Sequence, residues 1–194
     1  MSEPRPARRE SPILYTVGHS TRSLDEFLEL LGAHRVRQLG DIRTVPRSRR
    51  HPHFAIDALS VSLPRVGIAY RHFPGLGGLR KPRADSPNTA WRHSGFRAYA
   101  DYMATRAFET AIEQLLEFAR ASASGGFEGG APRTVIMCAE AVWWRCHRQL
   151  VADALVARGV EVRHISTGRA APPHELTEFA RVVDGKVSYP GLIR

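Results

Sequence analysis

A strand, a capped helix and a second strand follow one another near the start of the sequence, and this succession restricts the fold more than any other feature. The runs Ile13 to Val17 and Val36 to Ile42 are short, apolar and β-prone. Between them, Ser23 and Glu26 have the spacing of a capping box, and Gly32 ends the apolar stripe that follows. The stretch therefore predicts a βαβ unit, in which the two strands run parallel.

The same alternation continues along the chain. The sequence predicts further strands over 67–73, 134–137 and 160–165, and helices over 54–63, 96–120 with a break near Thr105, 146–157 and 174–182. Strands that alternate with helices predict an α/β fold with three layers, in which helices cover both faces of a mostly parallel sheet. The irregular, basic stretch over 74–89 is predicted to be a long loop inserted into this fold.

Length and composition indicate one folded unit. Residues 1–11 are polar and arginine-rich, which predicts a disordered leader, and residues 12–194 are predicted to form a single α/β domain. No run of eighteen apolar residues is present, so no membrane span is expected. Two cysteines, Cys138 and Cys146, are too few for a disulfide-stapled secreted protein, which favours a reducing cytoplasm.

The positive charge is concentrated in one central segment. The whole chain has a net charge of +9, and residues 43–100 hold 11 basic residues against only Asp57 and Asp85. That segment therefore carries the entire excess, which predicts a polyanionic partner, most simply nucleic acid and DNA before RNA. The alternative is a solvated face with no partner. The residues expected to hold phosphates are Arg47, Arg49, Arg50, Arg80, Lys81 and Arg83.

Four polar clusters lie at the ends of predicted strands. They are Gly18-His19-Ser20, Asp41-Ile42-Arg43, Cys138-Ala139-Glu140 and His164. Ligands of open α/β sheets bind beyond the carboxyl ends of the strands. We therefore expect these clusters to share one edge of the sheet and to form a site.

Asp41 and Glu140 are the candidate catalytic carboxylates. Asp41 and Arg43 alternate on one strand end, so the aspartate stays ionised and can activate water or orient a substrate. The alternative is a structural ion pair that closes the sheet. Glu140 can serve as a general acid or base, or it can cap the following helix.

The two cysteines allow more than one interpretation. Cys138 ends a strand and precedes a helix, which makes it the better candidate nucleophile, whereas Cys146 aligns with Leu150 and Ala154 and is expected in the core. Six residues after Cys138 stands Trp144 instead of arginine, and no glycines lie between, which excludes a cysteine phosphatase. The cysteines also lack the paired Cys-x-x-Cys spacing of zinc sites, so neither a metal nor another cofactor is predicted.

Several other side chains are candidates for binding a substrate. Arg145 and Arg148 lie beside the start of the helix after Cys146, where positive charge opposes the helix dipole and suggests a grip on an anion. The glycines before Arg80 allow close backbone approach, and aromatic rings among the arginines can stack on bases. The candidates of this kind are Ser20, Arg43, Tyr70, Phe73, Gly77, Gly78, Trp91, Cys146, His147 and Arg148.

Taken together, these motifs resemble the family called domain of unknown function 488. The similarity rests on Thr16-Val17-Gly18-His19-Ser20, Asp41-Ile42-Arg43 with Pro46-Arg47-Ser48, Tyr70 with Leu76-Gly77-Gly78, Met137-Cys138-Ala139-Glu140 with Cys146-His147-Arg148, and His164-Ile165. It extends over nearly the whole chain, although Leu79 stands where many members have an arginine. The resemblance implies one shared site containing His19, Asp41, Arg43, Cys138, Glu140, Cys146, His147 and Arg148.

The resemblance and the basic segment together favour an enzyme that acts on nucleic acid. Some members of the family look like DNA glycosylases, so the leading hypothesis is removal of a modified base such as a modified cytosine. Asp41 or Glu140 would activate water, and His19 and the aromatic rings would hold the flipped base. Two alternatives stay open. One is a cysteine-dependent enzyme of sulfur transfer or redox chemistry, with Cys138 as nucleophile; the other is a binding module for nucleic acid or nucleotides without catalysis.

Overall fold

The computed structural model describes residues 13–47, 49–123 and 133–191. The predicted leader over 1–11 lies outside these ranges. Within them, no helix is both long enough and apolar enough to cross a membrane.

Five parallel strands form the central sheet. They are β1 (Leu14–Gly18), β2 (Val36–Asp41), β3 (Ala69–His72), β4 (Arg133–Cys138) and β5 (Val162–His164), in the order β3-β2-β4-β1-β5. All neighbouring pairs run parallel. The strands β1, β2 and β4 are almost entirely buried, as expected for a parallel sheet covered on both faces.

Helices cover both faces of this sheet. They are α1 (Leu24–Ala33), α2 (Ile56–Arg65), α3 (Ser94–Met103), α4 (Arg106–Ala123) and α5 (Arg148–Val156). Phe27 of α1 and Leu59 of α2 belong to one apolar core, while Tyr99 of α3, Ile112 of α4 and Leu150 of α5 belong to another. The predicted three-layer α/β fold is therefore confirmed.

The order of the strands creates a topological switch point. The connection through α1 leads from β1 to β2 across one face, and the connection through α5 leads from β4 to β5 across the other. The two connections leave the adjacent strands β1 and β4 in opposite directions. A crevice opens at the carboxyl ends of strands arranged in this way, and it is where ligands of such sheets bind.

The predicted helix over 174–182 is wrong. Residues 174–180 form neither helix nor strand, and β6 (Arg181–Val183) begins an antiparallel hairpin with β7 (Lys186–Ser188). Tertiary hydrogen bonds replace the helical ones, because the amide of His174 donates to the carbonyl of Val162 and the amide of Thr177 donates to the carboxylate of Asp153. These buried bonds outweigh a weak local preference for helix.

Candidate functional site

Three of the four predicted polar clusters meet at the carboxyl edge of the sheet. Gly18 pairs in register with Cys138, and Asp41 pairs with Met137. The amides of His19 and Ile42 continue this register by donating to the carbonyls of Cys138 and Met137, each at 3.0 Å. The ends of β1, β2 and β4 therefore form one continuous platform.

A cavity of about 460 Å³ opens above this platform. Two loops rich in basic residues, called the basic loops below, contribute to its wall. The loop after β2, which carries Arg47, Arg49 and Arg50, contributes Thr44 and Val45, and the loop before α3 contributes Gly78 and Leu79. Its other lining residues are Arg43, His93, Gly95, Phe96, Tyr99, Cys138, Ala139, Glu140, Arg145, Cys146 and His147. The size lies within the range of about 300–1,000 Å³ that small-molecule sites occupy.

Two sulfur atoms and one imidazole meet in this cavity. The Nδ1 atom of His147 lies 3.5 Å from the sulfur of Cys146 and 3.9 Å from the sulfur of Cys138. The Nε2 atom of His147 lies 3.0 Å from the carbonyl oxygen of Ile42. Because a carbonyl can only accept, Nε2 carries the proton of the neutral ring and Nδ1 presents its lone pair to the two cysteines. The expectation that Cys146 lies in the core holds only in part, since it is buried but also reaches the cavity.

The two cysteines have different electrostatic surroundings. Hydrogen bonding from Cys138, together with the charge and amide of Arg148 at the start of α5, lowers the pKa of Cys146 to about 6. The pKa of Cys138 is raised to about 12, because its thiol donates to Cys146 and is buried. Cys146 therefore ionises more readily than Cys138, whereas strand position alone favoured Cys138 as the nucleophile.

The charge of Arg148 favours the ionised form of Cys146. The side chain is 1% exposed and its guanidinium donates to the carbonyls of Glu140 and Ala141. Within the described ranges it forms no ion pair with a carboxylate, and its Nε has no hydrogen-bond partner. A buried cation needs a negative neighbour, and the sulfur of Cys146 supplies one.

Glycines allow the loop before α3 to approach the site closely. A Cβ atom on Gly78 would lie 2.6 Å from Nδ1 of His147, and one on Gly77 would lie 2.4 Å from the hydroxyl of Thr44. Both positions therefore require glycine in this arrangement. The sequence predicted that these glycines let the backbone approach a ligand closely. In the structure the backbone approaches the side chains of Thr44 and His147 instead.

Asp41 lies beneath the cavity and does not line it. Its side chain is fully buried, and its two oxygens accept from Arg43 at 2.8 Å and from Tyr70 at 2.9 Å. Burial and the neighbouring carboxylate raise the pKa of Tyr70. Asp41 therefore holds Arg43 in place and has no free oxygen directed at a ligand. This matches the structural ion pair that the sequence left as an alternative.

His19 is also occupied by structural contacts. Its Nδ1 donates to the carbonyl of Ser20 at 2.9 Å, its Nε2 lies 3.3 Å from Arg43, and its ring stacks on Phe54. Burial and the charge of Arg43 lower its pKa to about 4. Ser20 has a positive φ of 54° and its amide donates to Ala139. Both residues shape the platform rather than the cavity wall.

Glu140 is the carboxylate that lines the cavity. Its side chain is exposed, and one oxygen accepts from the amide of Val142 at 3.2 Å, which leaves the other oxygen without a protein donor among the described residues. Arg145 is exposed on the same wall. Of the two arginines suggested to grip an anion, Arg145 is accessible from the cavity, whereas Arg148 is buried and does not line it.

Several other predicted residues lie elsewhere. Phe73 is a core residue that packs against Phe118, and Trp91 stacks behind the cavity residue Phe96. His164 lies on β5, beside the platform, and does not line the cavity. Its ring stacks on Trp143 instead.

The predicted phosphate-binding residues divide into two groups. Arg47, Arg49, Arg50 and Lys81 are exposed. Arg80 instead packs over the ring of Tyr102 at 3.5 Å, and Arg83 pairs with Asp85. Only the first group is fully available to a polyanion.

Tyr99 is a cavity residue that has no local signal in the sequence, because its pattern on α3 is that of an ordinary amphipathic helix. It reaches the site because α3 packs against α5, which brings the ring of Tyr99 to 5.4 Å from that of His147. Phe96, one of the aromatic rings among the arginines, lies on the same helix. Two further lining residues, His93 and Leu79, belong to the long loop before α3, which contains neither helix nor strand over 77–93.

Fold and site together define a parallel α/β protein with a ligand cavity at its switch point, walled by two thiols, an imidazole and a carboxylate. The family model described as domain of unknown function DUF488 matches residues 23–155. This match spans well over half of the chain, and the protein belongs to that family. The resemblance seen in the motifs is therefore confirmed. No curated protein and no solved structure matches the chain significantly.

Proposed function

We propose that this protein is a DNA glycosylase that hydrolyses the N-glycosidic bond of a modified base, such as a modified cytosine, drawn into the cavity. The observation that carries the proposal is the position of Glu140. Its carboxylate lines a cavity of about 460 Å³ to whose wall both basic loops contribute. A carboxylate facing a bound nucleotide can activate water and stabilise the sugar cation that forms as the base leaves.

The geometry favours Glu140 over Asp41 as this carboxylate. Asp41 is fully buried with both oxygens engaged by Arg43 and Tyr70, so water cannot reach it without breaking the ion pair. Glu140 keeps one oxygen available on the cavity side.

The surroundings of the cavity suit an extruded base. Phe96 and Tyr99 offer aromatic surface, and the exposed Arg145 offers donors for the base edge or a phosphate. Leu79 lines the cavity yet is 75% exposed, and Val45, which also lines it, is 60% exposed. Exposed apolar side chains beside a cavity can enter the base stack in place of a flipped nucleotide.

The test is base release from duplexes that carry a panel of modified bases, detected as strand cleavage after alkali. Wild-type protein should cleave at one class of modification. Glu140→Gln keeps the acceptor for Val142 but loses the charge, so cleavage should fall by about 10²–10⁴-fold. Glu29→Gln, an exposed glutamate of α1, is the matched control and should cleave normally. Salt-sensitive binding with no cleavage across the panel would favour the binding module without catalysis.

A cysteine-dependent enzyme is the second candidate, because both thiols of the chain reach the same cavity. Oxidation of Cys138 and Cys146 to a disulfide would deliver two electrons to a bound disulfide substrate; the thiol of Cys138 supplies one of the two protons and solvent the other. The free thiols also support the proposed cytoplasmic location. If Cys138→Ser and Cys146→Ser both retain base release, the thiols are not the reacting groups. If the wild type releases no base but reduces a disulfide substrate, the second candidate replaces the first.

A further inference from the structure

We propose that Cys138, Cys146 and His147 bind one zinc ion at the floor of the cavity. Their two sulfur atoms and the Nδ1 nitrogen all lie within 4.8 Å of one another. The proposal goes beyond the proposed glycosylase function and does not depend on it. It also departs from the sequence prediction of no metal, which rested on the spacing of the cysteines along the chain.

The distances suit a tetrahedral ion. Zinc bonds of about 2.3 Å to sulfur and about 2.0–2.1 Å to nitrogen place neighbouring sulfur and nitrogen ligands about 3.6 Å apart. The Nδ1 atom of His147 lies 3.5 Å from the sulfur of Cys146 and 3.9 Å from that of Cys138. The two sulfur–nitrogen distances therefore suit one ion, and the sulfurs, which lie within 4.8 Å of each other, need to approach by at most about 1 Å.

The histidine is oriented as a metal ligand. Its Nε2 donates to the carbonyl of Ile42 at 3.0 Å, which directs the free lone pair of Nδ1 toward the sulfurs. A hydrogen bond from the second ring nitrogen to a backbone carbonyl is the usual support of a metal-bound imidazole. Gly78 packs against the ring and restricts its movement.

The chemistry of the ligand set selects the ion. Two thiolates and one imidazole suit Zn²⁺, whose charge would balance the two sulfurs. Cys138 and Cys146 are only 8% and 6% exposed, and the single charge of Arg148 beside Cys146 does not balance two thiolates, so a further cation is needed for both to ionise. Oxygen-seeking ions such as Mg²⁺ and Ca²⁺ find no carboxylate among the three ligands.

The fourth coordination position faces the cavity. All three ligands line it, and so does the carboxylate of Glu140. Three protein ligands with one open position are the arrangement of catalytic zinc, in which the open position holds water or a substrate atom. The site would therefore present a Lewis acid to whatever enters the cavity.

The experiment uses the full chain, reduced and stripped of metal, and titrates it with Zn²⁺ and separately with Co²⁺. One equivalent of zinc should bind, and Co²⁺ should give the charge-transfer absorption of thiolate ligands. Cys138→Ser, Cys146→Ser and His147→Gln should each abolish that stoichiometric binding. His53→Gln is the matched control, because His53 also bonds a backbone carbonyl through Nε2 at 3.0 Å but lies outside the cluster. It should bind zinc like the wild type.

Gly78→Ala provides a test that keeps all three ligands. Its Cβ would lie 2.6 Å from Nδ1 of His147, so zinc affinity should fall by about 10–100-fold, the usual effect of disturbing the groups that orient a ligand. Circular dichroism must show that each variant folds. The proposal is overturned if the folded wild type binds no stoichiometric zinc, or if binding survives the ligand substitutions. Because metal content and absorption are read without any DNA, failure here is distinct from failure of the glycosylase proposal.

Discussion

The carboxylate of Asp41 and the guanidinium of Arg43 form a two-point ion pair beneath the cavity floor. Nε of Arg43 donates to one carboxylate oxygen at 2.8 Å and a terminal nitrogen donates to the other. The same guanidinium also contacts the carbonyl of Phe54 and the ring of His19. Asp41 is 0% and Arg43 7% exposed, so the pair is a structural element that ties the end of β2 to Phe54 and His19 beneath the site.

Asp41→Asn should therefore act mainly on stability. It leaves the guanidinium of Arg43 buried without a counter-charge, and breaking such a pair costs about 3–5 kcal/mol of unfolding free energy. Urea denaturation measures this change. Asp85→Asn breaks the exposed pair with Arg83 and should leave the denaturation midpoint nearly unchanged. Equal effects of the two substitutions would contradict the structural role of Asp41.

On the proposed function, the exposed cations of the basic loops should set the salt dependence of DNA binding. For each phosphate interaction that Arg49→Ala or Lys81→Ala removes, the slope of log affinity against log salt should become shallower by about 0.9. Fluorescence anisotropy at several salt concentrations gives this slope. Arg37→Ala is the control, since Arg37 is exposed near the opposite end of β2. A slope that none of the loop substitutions changes would mean that DNA binds elsewhere.

Stability should fall as the solution becomes acidic. Burial, with the charges of His174 and Arg148, lowers the pKa of His164 to about 3. The unfolded chain takes up a proton near the ordinary histidine pKa of about 6.5, while the folded chain does not, so acid favours unfolding. His164 contributes its full stabilisation above about pH 6.5 and loses it progressively as the pH falls toward 3.

The variant His164→Gln isolates this effect. Its unfolding free energy should depend less steeply on pH, by up to about 1.4 kcal/mol per pH unit in that window. The remaining slope belongs to other groups, among them His19, whose pKa is also lowered. Urea midpoints measured from pH 7 to pH 4 provide the comparison, and parallel curves for the two proteins would refute the assignment.

Two glycine substitutions should change the stability of the protein in opposite directions. A Cβ on Gly18 would lie 1.9 Å from the carbonyl oxygen of Glu140, a backbone atom that cannot move aside alone. Gly18→Ala should therefore cost about 1–3 kcal/mol or more, the range for overpacking. Gly32 lies in α1, and a Cβ there would have no described atom within 4 Å, so Gly32→Ala should stabilise the helix by up to about 1 kcal/mol. Thermal unfolding measures both changes: the melting temperature should fall for Gly18→Ala and rise for Gly32→Ala.

Local sequence patterns predicted most of the helices and strands, because capping and helix breaks depend on residues close together in the chain. The capping box of Ser23 and Glu26 is present, and the predicted break near Thr105 separates α3 from α4. The shared edge of His19, Asp41 and Cys138 followed from the topology of parallel strands. The helix predicted after His174 failed because the carboxylate of Asp153, distant in sequence, binds this segment through buried hydrogen bonds.

Before His174, the sequence by itself determined which segments become the sheet strands and the helices, through apolar periodicity, and it placed three of the four polar clusters at one edge. The tertiary structure decided what those residues face. Asp41 points into the protein because Arg43 and Tyr70 satisfy it there, whereas Cys146 and His147 reach the cavity because α5 begins beside the end of β4. Periodicity is read along the chain, but the partner of a side chain depends on packing between distant segments, and that packing creates the Cys138, Cys146 and His147 cluster.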